Sequence, residues 1–314
     1  MGRVAGRVAR RVVVVGAGVT GLSCAVRLAQ EGHRVDVLAR DLPLETTSVV
    51  AAALWYPYKA LPQDRVTAWS ASAYDEFAAL AEQDGTGVRM SAGTEVLHRP
   101  TEDPWWAGAV PDLEHTAPPE GYADAWSFTA PVIDMPVYLS WLRSRLAALG
   151  GTVTRMSLRV LPQPDVSAGD VVVNCAGLGS RLLAQDHDVR PVRGQVVLMS
   201  GVRLDRWWLD AAGPTYVVPR AREIVVGGTD QADDWSRTPS PETAAAIVER
   251  ATRLVPELAG AEVVGHRVGL RPVRSEVRLE VEGRVVHCYG QGGAGVTLSW
   301  GCADEVVRLV ERLS

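Results

Sequence analysis

The segment "VVVVGAGVTGLS", Val12 to Ser23, decides the fold. Four β-branched residues in a row predict a buried strand, and Gly16-x-Gly18-x-x-Gly21 follows at once. Leu22, Ala25, Leu28 and Ala29 then recur on one helical face until Gly32, and "RVDVLAR" predicts a second strand. This is a βαβ unit. In such a unit the first glycine allows a tight turn, the second lets the backbone approach a pyrophosphate, and the third lets helix and strand pack closely. The helix N-terminus adds free N–H groups and a positive dipole. The strand–turn–helix context predicts a dinucleotide bound by Gly16, Ala17, Gly18, Val19, Thr20 and Gly21, but it does not separate FAD from NAD. An acidic residue for the ribose belongs near the end of the second strand. Asp36 lies inside that strand, so Asp41 is the better candidate, with Arg40 beside the adenosine or its phosphate.

Outward from this unit the same grammar recurs. "VYLSWLRSRLAALGG" predicts an amphipathic helix stopped by Gly150-Gly151, followed by strands in "TVTRMSL" and "DVVVNCAG". Residues 98 to 136, rich in Pro, Trp and Asp, predict an irregular, loop-rich region. "GQVVLMS", "TYVVP" and "EIVVGG" alternate in the manner of antiparallel strands. A helix follows in "SPETAAAIVERATRLVPEL", with Ser240 as N-cap and Pro241 at its first position. A second glycine cluster, "YGQGGAGVT", precedes the last helix. A turn between strand and helix is the simpler reading of that cluster. The functional one is a second helix N-terminus aimed at a long cofactor such as FAD. The expected fold is α/β, a Rossmann-like nucleotide-binding domain interrupted twice by a mostly antiparallel β domain.

Composition narrows the function classes. The chain has 314 residues, 47% hydrophobic and 22% charged, with a net charge of −5, which suits a globular protein with a sizeable core. The acidic balance and the lack of a basic run exclude nucleic acid as the expected partner. No stretch is long and apolar enough to span a bilayer. The start reads as a basic lead-in to the first strand, without a signal peptide or an acylation pattern, and "VERLS" carries no peroxisomal address. Cys24, Cys175, Cys288 and Cys302 form no C-x-x-C pair, so buried free thiols are expected, with no metal site. A cytoplasmic enzyme is the default expectation.

Six segments, in order along the chain, resemble the D-amino-acid oxidase family: "VVVVGAGVTGLS", "ARDLPLETTSVVAAALWYPY", "DVVVNCAGLGSRLL", "GGTDQADDW", "GLRPVRSEVRLE" and "HCYGQGGAGVTLSWGCA". They cover nearly the whole chain, and "AAALW-x-P" and "GLRPVR" are far more specific than the opening glycines. The resemblance, to a bacterial-type member, implies an FAD-dependent oxidase. It would pass hydride from the α-carbon of a D-amino acid to the flavin and electrons on to O2, yielding a 2-oxo acid, ammonia and hydrogen peroxide. It implies an FAD-binding domain over 1–55, 135–190 and 265–314, and a substrate-binding domain over 56–134 and 191–264. Thr46, Thr47, Ser48, Ala53 and Leu54 would line the pyrophosphate and flavin, and the Val160 backbone would meet the adenine side. Gly292, Gly295, Val296 and Thr297 would hold the pyrimidine edge. Arg271 would grip the substrate carboxylate with help from the Tyr216 hydroxyl, beside the flavin, and the Gly293 carbonyl would receive the amine.

Arginine suits that task because its planar, always-charged fork matches a carboxylate. Arg271, after "VGL" and locked by Pro272, is expected at a strand end pointing inward. Arg274, Arg278 and Arg284, spaced among glutamates, predict a salt-bridged outer face. The six histidines are expected to be structural. The segment before Tyr216 is shorter than the lid of vertebrate relatives, with Ala212 where a second active-site tyrosine would stand. Asp230 occupies a position where D-aspartate-specific relatives carry positive charge, so neutral D-amino acids are the expected substrates. Tyr56, Trp235 and one of Trp207 or Trp208 would wall the side-chain pocket. Three alternatives stay open: a related flavin amine oxidase (of glycine, D-aspartate or a secondary amine), an NAD(P)-dependent reductase, and a non-catalytic flavin protein. The oligomeric state, a homodimer included, also stays open.

Overall fold

The computed structural model describes residues 9–313. The basic lead-in over residues 1–8 and the terminal Ser314 lie outside the described residues. β1 (Arg11–Val15), α1 (Val19–Gln30) and β2 (Arg34–Ala39) form the expected unit, with the two strands parallel. All four valines of β1 are buried, as a parallel strand covered on both faces requires. Gly16 has φ +112, and a Cβ there would stand 2.4 Å from the Cys175 carbonyl oxygen. A Cβ at Gly21 would lie 2.0 Å from the Gly16 carbonyl oxygen. The third glycine is therefore what lets α1 lie against the turn.

The chain then makes a first excursion through α2 (Gln63–Ala81), β3 (Val88–Leu97), β4 (Glu114–Thr116) and β5 (Asp124–Ile133). It returns through α3 (Met135–Ala148), β6 (Thr152–Arg155), β7 (Val171–Asn174) and the short α4 (Ser180–Leu183). A second excursion runs through β8 (Arg190–Ser200), β9 (Trp207–Asp210), β10 (Thr215–Pro219), β11 (Ile224–Gly227), β12 (Gln231–Ala232) and α5 (Pro241–Leu254). The long β13 (Glu262–Glu282), β14 (Val285–Gln291) and α6 (Ser299–Arg312) close the chain.

All strands belong to one mixed sheet of order β4-β5-β3-β9-β10-β11-β8-β13-β14-β7-β1-β2-β6, with β12 paired to β8. From β14 to β6 the neighbours are parallel. From β8 to β10 they are antiparallel, as the alternating segments predict. β13 joins the two regimes: its first half pairs with β8 and its end with β14, with a register break between Val273 and Arg278. Arg271 therefore sits in mid-strand opposite Val192, and the expected strand end is corrected.

One apolar core fills the space around α1, α2, α3 and α6, and a second lies under α5, where Ile247, Ala251 and Leu254 meet Val197, Val217 and Val226. Ser240 caps α5, its Oγ accepting from the Thr243 amide at 3.1 Å. The expected irregularity of residues 98–136 holds only in part, because β5 is a ten-residue strand paired along its length with β3. β5 is buried at most of its positions, so its sequence lacks the alternation that marks a half-exposed strand. The four cysteines are free and buried. The sulfurs of Cys24, Cys175 and Cys288 converge to within 4.8 Å of one another. Among the described residues no helix is long and apolar enough to cross a membrane.

Candidate active site

A cavity of about 960 Å³ opens at the C-terminal ends of β1 and β2 and runs to the middle of β13. Its first part is built by the opening motif. Among the described residues the amides of Ala17, Gly18 and Thr20 have no acceptor, while Val19 N–H donates to Ser48 Oγ at 3.0 Å. A Cβ on Gly18 would meet only Ser48 Oγ, at 3.1 Å. Unpaired donors at the N-terminus of a helix, beside a gap where Gly18 carries no side chain, fit an anionic pyrophosphate.

Arg40 and Asp41 line the next stretch and bond to each other, Nη2 to Oδ2 at 2.6 Å. Arg40, with smaller help from Arg237 and Arg155, holds the Asp41 carboxyl below the usual carboxylate range. Asp36 is spoken for elsewhere, accepting from Thr152 Oγ1 at 2.7 Å and Arg11 Nε at 3.2 Å. Val160 does not line the cavity: its residue is 70% exposed, and Met156, Ser157 and Leu158 take that wall. β6 stops at Arg155, so Val160 lies beyond the strand that carries the chain to the cavity. Gly21 also stands off the cavity, in its packing role.

Thr46, Thr47, Ser48, Ala53 and Leu54 line the middle, and Gly292, Gly293, Gly295, Val296 and Thr297 the opposite wall. Thr297 Oγ1 accepts from Tyr56 N and donates to Tyr56 O, each at 3.0 Å, and so ties the two walls together. Gly292 has φ +56 and Gly295 faces open space. One elongated cavity with free donors at one end and a glycine-lined wall at the other fits the length of FAD, which the shape of an NAD site alone would not require.

At the far end stand Arg271 and Tyr216. Arg271 Nη1 donates to the Thr229 carbonyl at 2.7 Å, leaving the rest of its fork to the cavity. Burial pushes the Tyr216 hydroxyl pKa up, with Arg271 pulling against it. Both side chains lie on glycine. A Cβ on Gly194 would stand 2.6 Å from the Arg271 guanidinium, and one on Gly227 would stand 2.2 Å from the Tyr216 ring. A Cβ on Gly228 would lie 2.7 Å from the Tyr216 hydroxyl. These three glycines escaped the sequence analysis, although "RGQ" and "VGG" beside apolar strands were the available signal.

Tyr58 also escaped it. Its ring packs on Gly293, and Arg271 and Tyr216 both act on its ionisation, which burial opposes. A tyrosine thus does enter this end, from the "WYPY" segment and not from the position of Ala212. Tyr56 lines the side-chain region and donates to Glu95 Oε1 at 2.7 Å. Glu95 is buried, and that burial raises its pKa to about 7.

Two expectations about the pocket wall are corrected. Trp207 is fully buried, its Nε1 donating to Ser91 O at 2.8 Å, and Trp208 packs against the core under α5. Leu209, Ala211 and Pro214 line the cavity instead, with Trp235, half-exposed, at its rim. Strand alternation turns Trp208 to the face opposite Leu209, whereas Trp207 shares the Leu209 face but packs its ring against Gly93 inside the core. Asp230 does not line the cavity either. It pairs with Lys59 Nζ and accepts from Tyr58 OH at 3.3 Å, so its charge is already matched.

Of the outer arginines, Arg278 binds Glu280 at 2.6 Å and Glu282 at 2.9 Å, as expected. Arg274 binds Asp186 at 2.9 Å, and Arg284 donates to the Asp170 and Leu313 carbonyls. Among the histidines, His187 lines the cavity rim, while His287 is buried between Asn174 and Glu282.

The family model described as "FAD dependent oxidoreductase" matches residues 11–309. The chain is 47% identical to a D-amino-acid oxidase of Rubrobacter xylanophilus over 97% of each chain. It is 45% identical to a D-amino-acid oxidase of Streptomyces coelicolor, over 95% of this chain and 96% of that one. Its fold is similar to that of glycine oxidase from Geobacillus kaustophilus, with a TM-score of 0.82 at 21% identity, covering 97% of this chain and 95% of that one.

Proposed function

The chain belongs to the FAD-dependent oxidoreductases of the D-amino-acid oxidase family, and from that premise we propose that it oxidatively deaminates neutral D-amino acids with O2 as acceptor. The observation that carries the reading is the shared cavity. The same space that presents the free amides of Ala17, Gly18 and Thr20 ends at Arg271 and Tyr216.

FAD would lie along Gly16 to Thr20, Arg40, Asp41, Thr46 to Ser48, Ala53, Leu54 and Gly292 to Thr297, and would supply the acceptor for the two electrons and the hydrogen lost from the substrate α-carbon. The chain's own residues bind and orient. Arg271 matches the substrate carboxylate with a fixed charge, and the Tyr216 hydroxyl donates to the same group. The Gly293 carbonyl accepts from the amine. Neither Arg271 nor Tyr216 is bonded to a carboxylate or a histidine among the described residues. Alignment, more than proton abstraction at carbon, is then the protein's contribution. Holding carboxylate, amine and Cα–H at three places accepts one hand of the substrate.

We propose the segments 1–55, 135–190 and 265–314 as the FAD-binding unit and 56–134 and 191–264 as the substrate-binding unit, the cavity lying between them. Apolar Leu54, Leu209, Ala211 and Pro214 favour an uncharged substrate side chain. The four free, buried thiols favour a reducing compartment, the cytoplasm. The test is spectroscopic. Purified protein should be yellow, and it should bleach anaerobically with D-alanine and not with L-alanine; bleaching by the L-enantiomer, or by neither, overturns the reading.

A further inference from the structure

Arg220 follows β10, and its side chain is only 4% exposed. Its Nη2 donates to the carbonyls of Ala51 and Ala52, the second at 3.0 Å, while its Nε has no hydrogen-bond partner among the described residues. Ala51, Ala52 and Ala53 line the cavity. Among the described residues the amides of Ala52, Ala53 and Leu54 donate to no acceptor. A trans peptide is planar and points its N–H away from its C=O. The guanidinium thus holds the outer ends of two peptide groups whose inner ends, the Ala52 and Ala53 N–H, face the cavity.

We propose that Arg220 is a positioning residue for electron acceptance, polarising the Ala52 and Ala53 amides so that they stabilise the reduced, electron-richer flavin. The inference rests on the cofactor placement given above. A hydrogen bond made at one end of a peptide strengthens the donor at the other, and the effect grows in a low-dielectric interior. A fixed charge behind preorganised donors is also how protein sites stabilise charge that develops during a reaction.

The charge is only partly matched. Glu223 Oε1 lies 3.6 Å from Arg220 Nη1 and is 30% exposed. Asp134 and Tyr216 also act on the guanidinium, while Arg89, which donates to the neighbouring Pro219 carbonyl, opposes it. A residue serving only to tie the 51–52 segment would not need a desolvated cation, since burying one is unfavourable unless its field is used or paired. Substitutions at 220 and 223 act on that field with opposite sign.

The experiment measures the two-electron reduction potential of the bound flavin by dye equilibration in the holoenzyme, for wild type, Arg220→Met, Arg220→Lys and Glu223→Gln. Arg220→Met should shift the oxidised-to-reduced equilibrium at least tenfold toward oxidised, about 30 mV for a two-electron couple. Arg220→Lys should fall between, and Glu223→Gln should shift the other way. Wild-type potentials in Arg220→Met and Glu223→Gln, with full flavin content, overturn the inference. Where Arg220→Met fails to fold or to hold flavin, Glu223→Gln decides: an upward shift sustains the inference and no shift overturns it. The dyes need no amino acid, so a wild type that ignores D-alanine sinks the substrate reading and leaves this measurement standing.

Discussion

Arg271 reaches the cavity because the strand beside it carries no methyl group. Its fork lies where a Cβ of Gly194 would stand. Arg271→Ala should therefore raise KM strongly with flavin retained, since losing one partner of a desolvated charge pair costs about 2–5 kcal/mol. A variant within threefold of wild type in kcat/KM removes Arg271 from the carboxylate site. Gly194→Ala offers an independent check. The clash falls on the end of a flexible side chain, so the thermal midpoint should stay near that of wild type while KM rises at least tenfold. Equal KM in Gly194→Ala and wild type would mean that Arg271 binds substrate from another rotamer.

At the scale of the element, the two first glycines of the opening motif do different work. A Cβ on Gly16 meets the Cys175 backbone just after β7, and the residue needs a positive φ, so Gly16→Val strains the packing where β1 and β7 end. A Cβ on Gly18 meets only Ser48 Oγ, and the rest of a valine side chain would fill the space in front of the α1 amides. Gly18→Val should yield folded protein without flavin, whereas Gly16→Val should lower the thermal midpoint of the apoprotein as well. Circular dichroism melts beside flavin content separate the two. Full flavin occupancy in Gly18→Val would make the motif a packing turn only.

At the scale of the whole molecule, charge buried between elements sets both pH response and selectivity. Glu95 has a folded pKa raised from 4.5 to about 7 by burial. Its contribution is complete below the unfolded value and is lost as pH rises through about 7, on the order of 3 kcal/mol. Glu95→Gln lacks that loss, so its thermal midpoint should gain on wild type between pH 5 and pH 8. A constant difference across that range would show the carboxyl to be solvated. The Lys59–Asp230 pair bears on selectivity: kcat/KM for D-valine should exceed that for D-aspartate because apolar groups line the side-chain region. Asp230→Asn releases Lys59 and should raise relative activity on D-aspartate; wild type that prefers D-aspartate to D-valine would contradict the pocket assignment.

The βαβ unit, the parallel and antiparallel regions, the Ser240 cap and the two glycine clusters were legible in the sequence. Each follows from short-range physics, in which side-chain periodicity and glycine sterics act within one element. The mid-strand position of Arg271, the glycines beneath it and Tyr216, the entry of Tyr58, and the pairing of Asp230 with Lys59 were decided only by tertiary structure. So were the burial of Glu95 and the reach of Arg220 to Ala51 and Ala52. α2 shows the boundary between the two. Val66, Trp69, Ala73, Phe77 and Leu80 carry helical spacing, yet the alanines and serines between them blur the apolar face, and only its packing on α6 fixes it. Chain distance is the common cause. Arg271 lies beside Gly194 because β13 pairs with β8 in one register, Leu270 opposite Arg193, and a slip of one residue would turn every side chain of that strand to the other face. Such registers are set by packing summed over the whole sheet, and no local stretch of sequence contains them.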